Sequence, residues 1–297
     1  MKRPFTITLI QHGPGTDDKQ KNLDVLLKLV DRAAEETKPD LIGLGEVFAT
    51  KFFMSVSDNS FFEKYAEPIP GPTSEVLTEK ARKHGCYIVG GLFEKGDLEG
   101  EYYNSAVVVG PDGVVHGVMP DGRVVRSFRK VHIPEMAQPI ESHEKLYFKP
   151  GPGWPVFDLG KTKIGIIICY DVYFPEGPRI LALRGAEIII HPTSARFPLD
   201  ERYVAMLRGI AASNQLFVAF PNKAGLEERA APWGKDWEFF GHSLIINPTG
   251  NILAEAPLSQ PFTYVSATID LDEVRTTRCG LPTFRDRRPE TYGELVK

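Results

Sequence analysis

The chain is poor in cysteine. Only Cys86, Cys169 and Cys279 are present, and no two of them form a CxxC pair. Thiols so widely spaced exclude a disulfide framework and fit a reducing compartment, so a cytoplasmic location is expected. Long hydrophobic runs are also missing, and nothing approaches the roughly eighteen apolar residues of a membrane-spanning helix. The opening run Phe5-Thr6-Ile7-Thr8-Leu9-Ile10 is too short and too alternating for a signal sequence. No dense basic stretch occurs, and the formal net charge is -4. That excludes the electrostatic footprint of a nucleic-acid or anionic-membrane partner. The histidines show neither an HExxH motif nor any paired spacing, so neither a metal nor another cofactor is expected.

What is present is regular alternation of β-rich runs with helical patterns. Phe5 to Gln11, Leu41 to Leu44, Tyr87 to Phe93, Lys163 to Cys169, Glu187 to His191 and Phe217 to Pro221 read as strands. Leu23, Leu26, Leu27, Val30, Ala33 and Ala34 share one helical face, and Asp200 to Asn214 reads as a second long helix. Thr73 and Ser74 are N-cap candidates for a helix ending near His84, with Gly85 just beyond it. Two hairpins resemble each other. One runs from Ala106 to Val115 through Pro111-Asp112-Gly113, and the other from Leu244 to Leu253 through Pro248-Thr249-Gly250. Each follows a strand–helix half. This suggests an α/β fold, one domain over 1–297, with two mixed sheets face to face and helices outside.

Three residues at strand ends carry reactive groups. Cys169 ends the apolar run Ile164-Gly165-Ile166-Ile167-Ile168 and begins a polar turn. Ligands bind outside the carboxyl ends of strands in open α/β sheets, but free cysteine is also a common core residue. Glu46 follows the strand Leu41 to Leu44, between Gly45 and Val47. Partial desolvation there would suit a general base, and a solvated strand-end acid is the plainer alternative. Lys130 closes the run Val124 to Lys130. Alternate strand residues share a face, so Lys130 should point inward with Phe128 and Arg129 outward. An inward lysine is costly unless paired or functional, the alternative being a lysine that snorkels to water.

These segments together resemble the nitrilase superfamily of carbon–nitrogen hydrolases. The matching runs are Gly45-Glu46, Arg129-Lys130-Val131-His132-Ile133-Pro134, Cys169-Tyr170-Asp171 with Phe174-Pro175-Glu176, and Gly241-His242-Ser243. Phe148-Lys149-Pro150-Gly151, Gly185-Ala186-Glu187-Ile188-Ile189 and Arg287-Arg288-Pro289-Glu290-Thr291-Tyr292 extend the resemblance over nearly the whole chain. It implies a four-layer α-β-β-α sandwich and a Glu46, Lys130 and Cys169 triad. It further implies a homodimer or larger homo-oligomer, with the tail from about residue 275 to 297 at a subunit interface. Glu144 stands where amidase-type members have a second glutamate that positions substrate and lysine. A nearby cation lowers a thiol pKa, so Lys130 should activate Cys169. Cys169 should then be alkylated faster near neutral pH than Cys86 or Cys279.

Nitrilases proper usually carry Cys-Trp-Glu at the nucleophile, whereas this chain has Cys169-Tyr170-Asp171. The resemblance therefore implies hydrolysis of a small-molecule amide or ureido bond, with a nitrile substrate or an inactive interaction protein as alternatives. Carbamoyl-amino-acid enzymes place arginines just after the nucleophile motif to hold a carboxylate. Here Val172 and Tyr173 occupy those places, and Arg196 either substitutes or lies on the surface. Tyr170, Tyr173 and His132 are further substrate-positioning candidates. Two aromatic segments, Lys51-Phe52-Phe53 through Phe61-Phe62 and Pro232 to Trp237, are expected either to line the pocket or to make dimer contacts.

Overall fold

In the computed structural model, residues 2–137, 141–228 and 237–297 are described. Alternation of apolar residues along strands builds two mixed sheets. In the first, Pro4–Gln11, Leu41–Gly43 and Tyr87–Lys95 run parallel, and Tyr102–Gly110 returns antiparallel with Gly113–Val114 as its hairpin partner. Thr263–Asp270 covers the edge at Pro4–Gln11. In the second, Lys163–Ile166, Ile188–Ile190 and Phe217–Phe220 run parallel. Leu244–Ile246 then returns antiparallel with its hairpin partner Ile252–Glu255. The two halves thus share one strand order, and the paired hairpins of the sequence are its last two members.

Period-two burial explains how the layers stack. Ile7 and Leu9 face the second sheet and pack with Ile164, Ile166, Ile188 and Phe217. Ile10, Ile42, Ile88 and Val107 face outward, against Leu23, Leu26, Val30 and Leu77 of two helices. Those helices are Lys19–Thr37 and Pro72–His84. Glu176–Leu183 and Asp200–Asn214 cover the second sheet. The architecture is the expected four-layer α-β-β-α sandwich.

Two local readings are corrected. The N-cap of Pro72–His84 is Gly71, and Ser74 occupies the third helical position, where its Oγ accepts the Gly71 N–H at 2.8 Å. Proline at the first helical position needs no donor, which is why the helix starts earlier. The run leading to Lys130 is also not one strand. Val124–Val125 joins the second sheet, and Ser127–Arg129 joins the first beside Tyr102–Gly110. Continuous alternation hides such a crossing between sheets, because both parts keep the same period.

Candidate active site

Three chain segments meet at the carboxyl ends of the two sheets. The first leaves Leu41–Gly43 and turns sharply, with Val47 at a φ of 39°. A β-branched residue in the left-handed region is an outlier, and such strain collects at functional sites. The turn lies against Gly91, where an added Cβ would come within 2.8 Å of the Glu46 Cα. Only a glycine therefore lets the Glu46 backbone approach so closely. Ser194 Oγ donates to the Glu46 carbonyl at 3.1 Å, tying this turn to the second sheet.

The second segment carries Lys130. Phe128 and Lys130 are both fully buried, while Arg129 lies on the opposite face and pairs with Glu94 at 2.5 Å. The alternation argument therefore placed the lysine correctly. The third segment is the turn Cys169–Tyr173, with Cys169 itself at a φ of 43°. Asp171 fixes this turn. Its Oδ2 accepts the Ile168 N–H at 3.0 Å, and its Oδ1 accepts the His132 N–H at 2.9 Å. One carboxylate thus joins the nucleophile turn to the lysine segment.

Lys130 Nζ donates to Glu46 Oε1 at 3.0 Å and to Glu144 Oε2 at 2.7 Å. Asn104 Nδ2 also donates to Glu46 Oε1, at 2.8 Å. Glu46 Oε2 is buried and accepts no hydrogen bond among the described residues. Burial works against the Lys130 charge, but Glu144, Glu46 and Cys169 outweigh it and push the pKa above the ordinary lysine range. Burial pushes Glu144 upward, with Glu46 acting in the same direction. His191 is buried nearby, and burial lowers it to about 3, so it is an uncharged imidazole at physiological pH.

Cys169 is half-buried at the floor of a cleft of about 260 Å³. Its Sγ shares a hydrogen bond with the Tyr203 hydroxyl at 3.6 Å. Burial and the Glu46 charge push the thiol up to about 12, and Lys130 offsets this only in part. The expected activation by Lys130 has the right sign and the wrong net outcome. In a desolvated site holding two carboxylates and one ammonium, the neutral thiol is the resting form. Alkylation of Cys169 by N-ethylmaleimide should therefore accelerate with pH through 9 without levelling near neutrality. A plateau in that rate at or below pH 7 would contradict it.

Of the other candidates, Glu144, Tyr170, Tyr173 and Arg196 line the cleft with Cys169. His132 is not among its lining residues; its ring stacks on Phe174 with centroids 3.6 Å apart and bonds Asp171 through Nδ1 at 2.8 Å. In the first aromatic segment only Phe52 reaches the cleft. Phe53, Phe61 and Phe62 pack on Tyr147 instead, bracing the short helix Glu144–Tyr147 that presents Glu144. Of the second segment, 232–236 lie outside the described residues, and Trp237 is buried beneath Arg196. Reading the sequence missed Asn104, Asp171 and Tyr203. A polar residue inside the apolar strand Tyr102–Gly110 was the available signal for Asn104. Among the described residues no group of three or more His, Cys, Asp or Glu could hold a metal ion. No helix there is long and apolar enough to cross a membrane.

A thiol beside a buried Glu–Lys–Glu chain, at the strand ends of an α-β-β-α sandwich, defines a hydrolase class. The family model for carbon-nitrogen hydrolases matches residues 6–279, and the chain belongs to that family. It is an enzyme that hydrolyses carbon–nitrogen bonds. The chain is 33% identical to an N-carbamoylputrescine amidase of Solanum lycopersicum, over 99% of this chain and 95% of that one. It is 35% identical to a nitrilase of Pyrococcus abyssi, over 96% and 98% respectively. A crystal structure of a carbon-nitrogen hydrolase from Helicobacter pylori superposes with a TM-score of 0.86 at 28% identity, covering 100% of this chain and 99% of that one.

Proposed function

We propose that the enzyme hydrolyses a linear amide or N-carbamoyl compound through a thioester on Cys169, with Glu46 as general base and Lys130 as oxyanion donor. The observation that carries this reading is the unpartnered Glu46 Oε2 beside a charged Lys130 and a protonated thiol. Because the thiol rests neutral, its proton passes to Glu46 as Sγ bonds the carbonyl carbon. The carbonyl electron pair moves onto oxygen, where the Lys130 ammonium and the Tyr170 N–H donate to it; one such donor lowers a barrier by roughly 3–4 kcal/mol. When the C–N bond breaks, Glu46 returns the proton to the departing nitrogen, releasing ammonia or an amine. Water then attacks the thioester, Glu46 accepts its proton, and the sulfur leaves to be protonated again.

Glu144 supports an amide or ureido substrate over a nitrile. It lines the cleft as an acceptor, and an amide nitrogen has hydrogens to donate whereas a nitrile nitrogen has none. The Pyrococcus relative's name favours the second reading, a nitrile taken to its acid. Ammonia release from matched amides, ureido compounds and nitriles separates the two. Amides or ureides should lead, and a nitrile faster than every amide would reverse the choice. The three free thiols support a cytoplasmic location. Exposed Leu281, Tyr292, Leu295 and Val296 support a subunit contact through the tail, within a single domain, which sedimentation in solution checks.

A further inference from the structure

The cleft that holds Cys169 and Glu144 is also lined by cationic side chains. Arg196 and Arg202 both line it, with Leu199 between them in sequence and Tyr203 directly after. Arg202 is exposed on the first turn of Asp200–Asn214, next to Tyr203, whose hydroxyl touches the Cys169 sulfur. No carboxylate pairs with Arg202 among the described residues, although Asp200 and Glu201 share its turn. Its guanidinium faces the Tyr173 hydroxyl. Arg196 is held flat, 3.2 Å from the Trp237 ring centroid and 5.0 Å from that of Phe52, and donates to the Glu141 carbonyl.

Among the described residues the acid lining the cleft is Glu144, and it already accepts from Lys130. An ammonium group entering here would meet the Arg202 guanidinium. The aromatic faces that would otherwise attract it, Phe52 and Trp237, are covered by Arg196. A carboxylate would meet the fork geometry that arginine offers to planar anions.

We propose that Arg202, with Arg196 behind it, forms an anion subsite, so that the substrate is an amide or ureido compound bearing a carboxylate at its far end. This rests on the hydrolase reading above and names the substrate class of that site. It departs from a cationic substrate of the kind named for the Solanum relative.

The test compares three small amides of matched size: succinamate, its neutral methyl ester, and the cationic beta-alaninamide. Wild-type enzyme should show a kcat/KM for succinamate at least about 10-fold above the ester and about 100-fold above the cation, since each tenfold corresponds to about 1.4 kcal/mol. Most of the preference should lie in KM and should shrink as salt rises. Arg202→Gln should bring the acid-to-ester ratio close to one, and Arg202→Glu should invert the acid-to-cation order. Equal or better turnover of the cation by wild type, or an unchanged ratio in Arg202→Gln, overturns the subsite. Calorimetric binding of the same three compounds to Cys169→Ala protein separates the two claims. Selective binding of succinamate without turnover in wild type sinks the hydrolase reading alone. Turnover without carboxylate preference sinks the subsite alone, and absence of preference in both assays also overturns it.

Discussion

Cys169→Ala protein folds normally and releases no measurable ammonia, with kcat reduced by at least about 10⁴-fold, as when a covalent nucleophile is removed elsewhere. The size of the loss follows from the geometry. Every other group of the site serves the sulfur: Glu46 Oε2 awaits its proton, and Lys130 awaits the charge that its attack creates. Without sulfur, water must attack the amide directly, and the cleft holds no histidine that could activate it. His191 is neutral and bonded through Nδ1 to the Ile167 carbonyl at 3.1 Å. Folding should survive, because Cys169 is half-buried at a cleft floor and its side chain makes one weak hydrogen bond. Circular dichroism and thermal unfolding provide the structural control. Ammonia release within tenfold of wild type would rule out the thioester route.

Lys130→Met should damage both activity and stability. Lys130 is fully buried between Glu46 and Glu144, which are themselves at most 2% exposed by side chain. Removing one partner of a buried ionic cluster costs about 3–5 kcal/mol, because the remaining charges have neither water nor a counterion. The loss should depend on pH. In the variant Glu144, which burial pushes upward and which Lys130 no longer offsets, is held above its unfolded pKa, so the folded state binds more protons than the unfolded one. Stability then falls as pH rises through the folded value and partly recovers on acidification. Urea unfolding at several pH values checks this, and a loss that grows toward low pH would show that Glu144 is not the cause. Turnover should fall by at least about 10²–10³-fold through loss of the oxyanion donor.

How far the site was legible follows from these residues. Lys130 was readable because strand alternation ties it to Phe128, and that geometry is local. Glu46 and Cys169 were readable as strand-end groups, and the resemblance supplied their order along the chain. Asp171 was not, because its work lies in bonding His132, on the segment that follows Ser127–Arg129 of the other sheet. Tyr203 was lost for the same reason, being one buried aromatic of a helix until the fold sets it against the sulfur. The aromatic run after Lys51 looked like a pocket wall, yet most of it became packing behind Glu144.

The sequence by itself determined the two-sheet sandwich, the inward lysine and the three reactive residue types. Those follow from periodicity and from order along the chain, which act over a few residues. The tertiary structure alone decided the protonation state of the site and which cationic side chains line the cleft. Both depend on which groups desolvate and face one another across the two sheets. Lys130 therefore keeps its proton between two glutamates, Cys169 keeps its own until attack, and Arg202 meets whatever enters the cleft.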